Sequence, residues 1–67
     1  MYTIDLQGEQ GNAFVLLGIA ERTSRELNFN DDKIKSIQEE MKSSNYDNLL
    51  DVFERNFGEM YELINRT

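Results

Sequence analysis

The segment AFVLLGIA, residues 13–20, constrains the fold of this chain most, because it is apolar on every side of a helix. A helix that is apolar around its whole circumference is normally buried around its whole circumference. Helical spacing divides the longer segment 13–27 into two faces. One face contains Ala13, Leu17, Ala20, Ser24 and Leu27, and the other contains Val15, Ile19, Arg22 and Glu26, with Phe14 and Gly18 between them.

The chain has too few residues to cover both faces. Its 67 residues form one domain, 1–67, and a domain of this size hides only about 60% of the surface that its unfolded chain exposes. There is no cysteine and no histidine, so disulfides and thiolate or imidazole zinc sites are excluded. Self-association remains as the means of stabilisation, and we expect a homo-oligomer. The predicted interface residues are Phe14, Val15, Gly18 and Ile19.

Gly18 strengthens this expectation. A glycine inside a helix costs about 1 kcal/mol relative to alanine, and close approach of another backbone would explain it. With Ala13 and Ala20 it forms a small-residue zone suited to a tight helix crossing. The crossing helix could belong to this chain or to a second copy.

The remaining patterns predict an α+β fold in the order β-α-α-α-β. Apolar residues alternate with polar ones in residues 2–6, which indicates a half-buried strand, and the glycine-containing segment 7–12 indicates a turn. Helix one begins near Asn12 and ends near Leu27. Asn28 or Asn30 provides a left-handed or capping residue, and Asn30 caps helix two. Helix three follows a cap at Ser44 or Asn45 and ends at Gly58. Residues 59–64 are a strand pairing with 2–6, although they could also extend helix three.

The charge distribution limits the possible partners. Thirteen acidic and seven basic residues give a net charge of −6, which weighs against binding of duplex nucleic acid. The acidic surface either keeps the protein soluble or binds a basic partner, for example by mimicking DNA. No signal peptide or stretch of about 18 apolar residues is present, so we expect neither secretion nor a membrane partner, and a location in the cytoplasm.

The sequence carries no signature of an enzyme, a metal site or a cofactor site. Histidine, the usual general base, and cysteine, the thiol nucleophile, are absent. The carboxylates lack the spacing of a calcium-binding loop. The segment GEQGN has two glycines but lacks the lysine of a phosphate-binding loop. We therefore expect a binding protein with no catalytic residues, no metal and no cofactor.

A binding site for an anion is predicted at helix one. Gly11 and Asn12 precede free backbone amides at the positive end of the helix dipole, which can accept phosphate. Arg22 and Arg25 follow on its last turns, where an antiparallel pairing of two copies would place them beside those amides. Phe14 and Tyr46 are candidate stacking surfaces for a base. The alternatives are that both arginines are ordinary surface residues, flanked by Glu21 and Glu26, and that both aromatic rings belong to a core or interface.

Two longer segments, DLQGEQGNAFVLLGIA and SSNYDNLLDVFERNFGE, resemble a family of small bacteriophage proteins. The shared pattern is a strand, then GNAF opening an apolar helix, then a Tyr-Asp-x-Leu-Leu segment ending in FG. It covers most of residues 4–63. The family is that of the anti-CBASS cyclic-nucleotide sponges, which has a Bacillus-phage member.

The resemblance implies a phage immune-evasion function without catalysis. Members of this family assemble as oligomers, tetramers among them, that sequester cyclic dinucleotides such as 3′3′-cGAMP, the signal that activates the effectors of a host defence system. On this basis we expect a cyclic dinucleotide ligand and action in the host bacterial cytoplasm. A small acidic phage protein that inhibits a host protein directly, or mimics DNA, is the alternative.

Overall fold

The computed structural model describes residues 2–66 and has the predicted order of elements. A 3₁₀ turn at Glu9–Gly11 precedes the first helix. The strands and helices are β1 (Tyr2–Asp5), α1 (Ala13–Glu26), α2 (Asp31–Met41), α3 (Tyr46–Phe57) and β2 (Tyr61–Ile64). The C-terminal segment is therefore a strand rather than an extension of α3.

Each helix begins at an asparagine cap. The Oδ1 atoms of Asn12, Asn30 and Asn45 accept hydrogen bonds from backbone amides of the first turn at 2.8, 2.7 and 2.9 Å. Such caps satisfy amides that have no partner inside the helix. Between α1 and α2, Asn28 adopts the left-handed conformation with φ of 61°, so both predicted roles of the asparagines in this loop are confirmed.

The two strands are parallel and in register from Tyr2 opposite Tyr61 to Asp5 opposite Ile64. The amide of Tyr2 donates to the Met60 carbonyl at 2.8 Å, and the amide of Leu6 donates to the Ile64 carbonyl at 3.0 Å. A parallel pair needs a crossover connection of at least about a dozen residues, which the three helices supply. The sheet thus joins the two ends of the described chain.

The core lies between α3, the inner faces of α1 and α2, and the sheet. Its fully buried side chains are Ile4, Leu16, Ala20, Met41, Leu50, Val52, Phe53 and Phe57. Five of them belong to α2 and α3, in which Ile34, Ile37 and Leu49 are also buried. Gln38 of α2 donates through Nε2 to the Leu17 carbonyl of α1 at 3.1 Å, which fixes these two helices together.

The prediction for the faces of α1 was partly wrong. Its buried residues are Leu16, Ala20, Thr23 and Ser24, whereas Leu27 is 41% exposed because the helix ends at Glu26. The proposed small-residue zone does not exist as one surface. Ala20 is fully buried against the core, while Gly18 faces away from the chain, and an added Cβ there would meet nothing within 4 Å. Gly18 therefore does not accommodate another helix of this chain.

Asn65 and Arg66, which follow β2, are held by polar contacts. Arg66 pairs with Asp51 at 2.7 Å and with Glu54 at 3.0 Å, and these hydrogen bonds raise the pKa of its guanidinium. Asn65 donates to the Asp5 carboxylate at 2.9 Å. That hydrogen bond, with one from the Gln7 amide, lowers the pKa of Asp5.

Candidate functional site

The beginning of α1 is tied to the beginning of α3. The hydroxyl of Tyr46 donates to the Gly11 carbonyl, which brings together two of the residues predicted to bind a ligand. Gly11 is required here for a steric reason, because a Cβ would lie 1.9 Å from the Leu6 carbonyl oxygen. Gly11 therefore allows the chain to pass close to the end of β1, and its carbonyl positions Tyr46.

The amides at the start of α1 are only partly free. Asn12 uses its side chain to accept from the Phe14 amide, so the cap already satisfies one of the donors that we predicted for an anion. Asn12 itself donates its amide to the Glu9 carbonyl at 3.3 Å. The predicted anion site at this end is thus reduced to the remaining first-turn amides.

A shallow apolar groove lies beside this end of the helix, and we call it the Phe14 groove. Its volume is about 280 Å³. Phe14 stands at its edge with 82% of its surface exposed, so it belongs to no core within this chain. Tyr46 is 39% exposed on the opposite side. The groove is lined by Ala13, Phe14, Leu17, Met41, Lys42, Ser44, Asn45, Tyr46 and Leu49.

A second groove lies between the second half of α1 and the sheet, and we call it the Arg22 groove. Its volume is about 330 Å³. A smaller groove of about 240 Å³ adjoins it and shares Tyr2, Glu26 and Tyr61 with it. The Arg22 groove is lined by Tyr2, Thr3, Ile4, Gln10, Ile19, Arg22, Glu26 and Tyr61.

Two tyrosines form one wall of the Arg22 groove. Tyr2 and Tyr61 are opposite each other in the sheet, and their ring centroids are 5.9 Å apart. The Tyr61 ring packs against the Phe53 ring, with ring centroids 5.6 Å apart. The Tyr61 hydroxyl lies 3.0 Å from Thr23 Oγ1, which also holds the ring in place. Tyr2 is 73% exposed, so its ring is available to a ligand. A stacking surface of this kind accepts any nucleobase.

The two predicted arginines have different surroundings. Arg25 lies 3.8 Å from Glu21 in an exposed ion pair one turn apart. Arg22 lines the groove and, among residues 2–66, makes neither an ion pair nor a side-chain hydrogen bond. A guanidinium without a carboxylate partner retains all its donors for a phosphate. Arg22 is therefore the stronger candidate for an anion contact.

The predicted residues do not form a single site within one chain. Phe14 and Arg22 are eight residues apart on α1, about 12 Å along its axis at 1.5 Å per residue. The structure places Gly11, Asn12, Phe14 and Tyr46 at one end and Arg22 and Arg25 at the other. Within one chain, the two groups of residues therefore do not share a groove.

Sequence reasoning did not identify Tyr2, Gln10, Glu26 or Tyr61 as members of the Arg22 groove. Tyr2 and Tyr61 were assigned only to strands, and Glu26 was treated only as a residue of α1 that flanks the arginines. The parallel pairing of β1 and β2 is what brings the tyrosines together. The sequence places a tyrosine in each of the two segments expected to pair, 2–6 and 59–64, but the two rings meet only because the pairing is parallel.

The described residues contain no cluster of carboxylates that could hold a metal ion. No helix within residues 2–66 has the length and apolar character needed to cross a membrane. No protein-family model matches the chain, and neither a curated protein nor a solved structure matches it. The geometry of the grooves and the chemistry of their residues are therefore the basis for a functional assignment.

Proposed function

We propose that this protein is a phage immune-evasion protein of the anti-CBASS sponge family that it resembles. It sequesters cyclic dinucleotides of the 3′3′-cGAMP kind in pockets of a homo-oligomer, with four copies in the assembly. The signal that would activate the host effectors is thereby removed from the host cytoplasm, and no bond is made or broken.

The surroundings of Arg22 are the observation that supports this proposal. Its guanidinium has no carboxylate partner within residues 2–66 and shares a groove with two tyrosine rings. Guanidinium binds phosphate through two parallel hydrogen bonds, and tyrosine rings stack on bases. Glu26 and Gln10 in the same groove supply acceptors for the N–H groups of a base edge. These are the contacts that a nucleotide requires.

The size of the groove supports a shared pocket. About 330 Å³ is at the lower end of the range of roughly 300–1,000 Å³ for ligand pockets. One groove therefore suits one base and its phosphate. A cyclic dinucleotide has two such halves related by a two-fold or nearly two-fold axis, so two grooves from two copies match it.

The net charge of −6 opposes the approach of a dianion at long range. Screening reduces this repulsion beyond about 8 Å at physiological salt, so contacts inside the groove determine affinity. A sponge has no turnover, so it must bind tightly and stoichiometrically. A dissociation constant of 1 μM, about −8 kcal/mol, would leave much of a dilute signal free.

A thermal-shift panel tests the proposal. Ligand that binds only the folded protein stabilises it by about 2.7 kcal/mol at a hundredfold excess over the dissociation constant. We expect cyclic dinucleotides to raise the melting temperature and linear mononucleotides to raise it less. The Arg22→Ala variant is the control and should lose most of the shift. No shift with any cyclic di- or trinucleotide would refute the proposal, and copurification of a host protein would then favour direct inhibition.

A further inference from the structure

We propose that Glu26 makes the Arg22 groove selective for guanine over adenine, because its carboxylate accepts hydrogen bonds from two adjacent N–H donors of the guanine edge. The selectivity rests on the proposed function, since it names the base that the groove takes from a cyclic dinucleotide. It does not depend on the number of copies in the assembly, because the residues that it requires line one groove of one chain.

Glu26 lies where two adjoining grooves meet. It lines both the Arg22 groove and the smaller groove beside it, together with Tyr2 and Tyr61. Thr23, one turn earlier on the same face of α1, is 3.0 Å from the Tyr61 hydroxyl, so this face of the helix is turned towards the two tyrosines. A base that stacks on the exposed ring of Tyr2 therefore has its edge within reach of the Glu26 carboxylate.

The Glu26 carboxylate is available to a ligand. Within residues 2–66 it makes neither an ion pair nor a side-chain hydrogen bond, and the same holds for Arg22, one turn earlier. In contrast, Glu21 pairs with Arg25 at 3.8 Å outside the groove. The groove therefore presents an acceptor for a base edge next to a cationic donor for a phosphate.

A carboxylate distinguishes guanine from adenine because it has no hydrogen to donate. When ionised, it accepts hydrogen bonds through two oxygens. Guanine presents two neighbouring donors, N1–H and the N2 amino group, which match these two oxygens. Adenine presents its N6 amino group beside N1, which is an acceptor, so one carboxylate oxygen would face a lone pair with no proton between them. Leaving polar atoms unmatched in this way costs affinity when water is displaced from them.

The other polar side chains do not separate the two bases in the same way. Among the described residues that line the groove, Thr3 and Gln10 each carry both a donor and an acceptor, so either base satisfies them. The Arg22 guanidinium is assigned to the phosphate, which guanine and adenine nucleotides share. Glu26 is therefore the residue at which the choice of base should be altered.

Glu26→Gln tests the selectivity, because glutamine has the shape of glutamate but offers one donor and one acceptor, the pattern that complements adenine. In isothermal titration calorimetry, we expect the unmodified protein to bind cyclic di-GMP about tenfold more tightly than cyclic di-AMP, within the range for one bidentate contact to a base. The ligand 3′3′-cGAMP, with one base of each kind, should bind with intermediate affinity. In Glu26→Gln, the ratio of the two affinities should fall to about one or reverse.

Glu21→Gln is the matched control, because it changes the net charge equally but lies outside the groove. It should keep the ratio of the unmodified protein. Glu26 is exposed at the last residue of α1, so both variants should fold, and circular dichroism verifies this.

Three results would overturn the selectivity. If the unmodified protein binds both ligands equally, or if Glu26→Gln keeps the original ratio, Glu26 does not select the base, although the proposed function still stands. If neither ligand binds at all, the proposed function fails and the guanine selectivity fails with it.

Discussion

The hydroxyl of Tyr61 lies 3.0 Å from Thr23 Oγ1, and this contact links the sheet to α1 across 38 positions of sequence. Thr23 is buried, so its hydroxyl depends on this partner. The link holds the wall of the Arg22 groove opposite the helix that supplies Arg22 and Glu26. The geometry of the groove therefore depends on a tertiary hydrogen bond as well as on the two elements.

Tyr61→Phe should reduce the free energy of unfolding by about 1 kcal/mol, because it removes a hydrogen-bond partner from a buried hydroxyl. Urea denaturation followed by circular dichroism measures the change. Tyr2→Phe is the matched control, since within the described chain the Tyr2 hydroxyl makes no hydrogen bond and the ring is largely exposed. An equal loss in both variants would show that the Tyr61 hydroxyl contributes nothing specific.

Arg22→Ala should weaken binding of a cyclic dinucleotide by about tenfold or more, the effect of losing roughly 1.5–3 kcal/mol from a charge-assisted hydrogen bond. Isothermal titration calorimetry measures the affinity. Arg25→Ala provides the comparison, because Arg25 is paired with Glu21 outside the groove and should have a smaller effect. If Arg25→Ala weakened binding more than Arg22→Ala, the assignment of the groove would be wrong.

Gly18→Leu should leave the fold intact and reduce the mass of the assembly. The structure leaves open space at this position, so leucine meets no clash within one chain, but it would separate two crossing backbones. Light scattering coupled to gel filtration reports the mass. Lys35→Leu adds the same side chain to an exposed position of α2 and should leave the assembly unchanged. An unaltered mass for Gly18→Leu would place the interface elsewhere.

The Asp5 carboxylate makes the free energy of unfolding depend on pH in the acid range. Hydrogen bonds from Asn65 and from the Gln7 amide lower its pKa in the folded state, so the folded protein releases the proton more readily than the unfolded chain. The stabilisation that ionised Asp5 gives the folded state is therefore present above the unfolded pKa of about 4. It is lost as the pH falls through the lower pKa of Asp5 in the folded state. Asp5→Asn should reduce stability near pH 7 and should approach the wild type near pH 2. Urea midpoints at the two pH values measure this, and a constant difference would contradict it.

The local structure was largely predictable from sequence because it depends on short-range chemistry. Asn12, Asn30 and Asn45 cap helices through side-chain contacts within three residues. The buried faces of α2 and α3 likewise follow from apolar residues that recur at helical spacing. The pairing of the end strands could be inferred, since a lone strand leaves its backbone unpaired, but its parallel direction depends on the path of the intervening helices.

The site was less predictable because it is assembled from distant segments. Arg22 could be named from its position on α1, yet nothing in the sequence distinguished it from Arg25. That distinction required the location of Glu21 and of the two tyrosines. The prediction for Gly18 kept two alternatives, and only the tertiary structure removed the one within the chain. Leu27 was placed on the same helical face as Ala20, but α1 ends at Glu26 and Leu27 is 41% exposed.

Native mass spectrometry of the purified protein mixed with 3′3′-cGAMP tests the central claim most directly, because one spectrum reports both the number of chains and the bound nucleotide. We predict an oligomer, four chains in the family's arrangement, that carries intact cyclic dinucleotide and releases it only on unfolding. A single chain of 7.9 kDa without bound nucleotide, at micromolar concentrations of both components, would contradict the assembly and the function together.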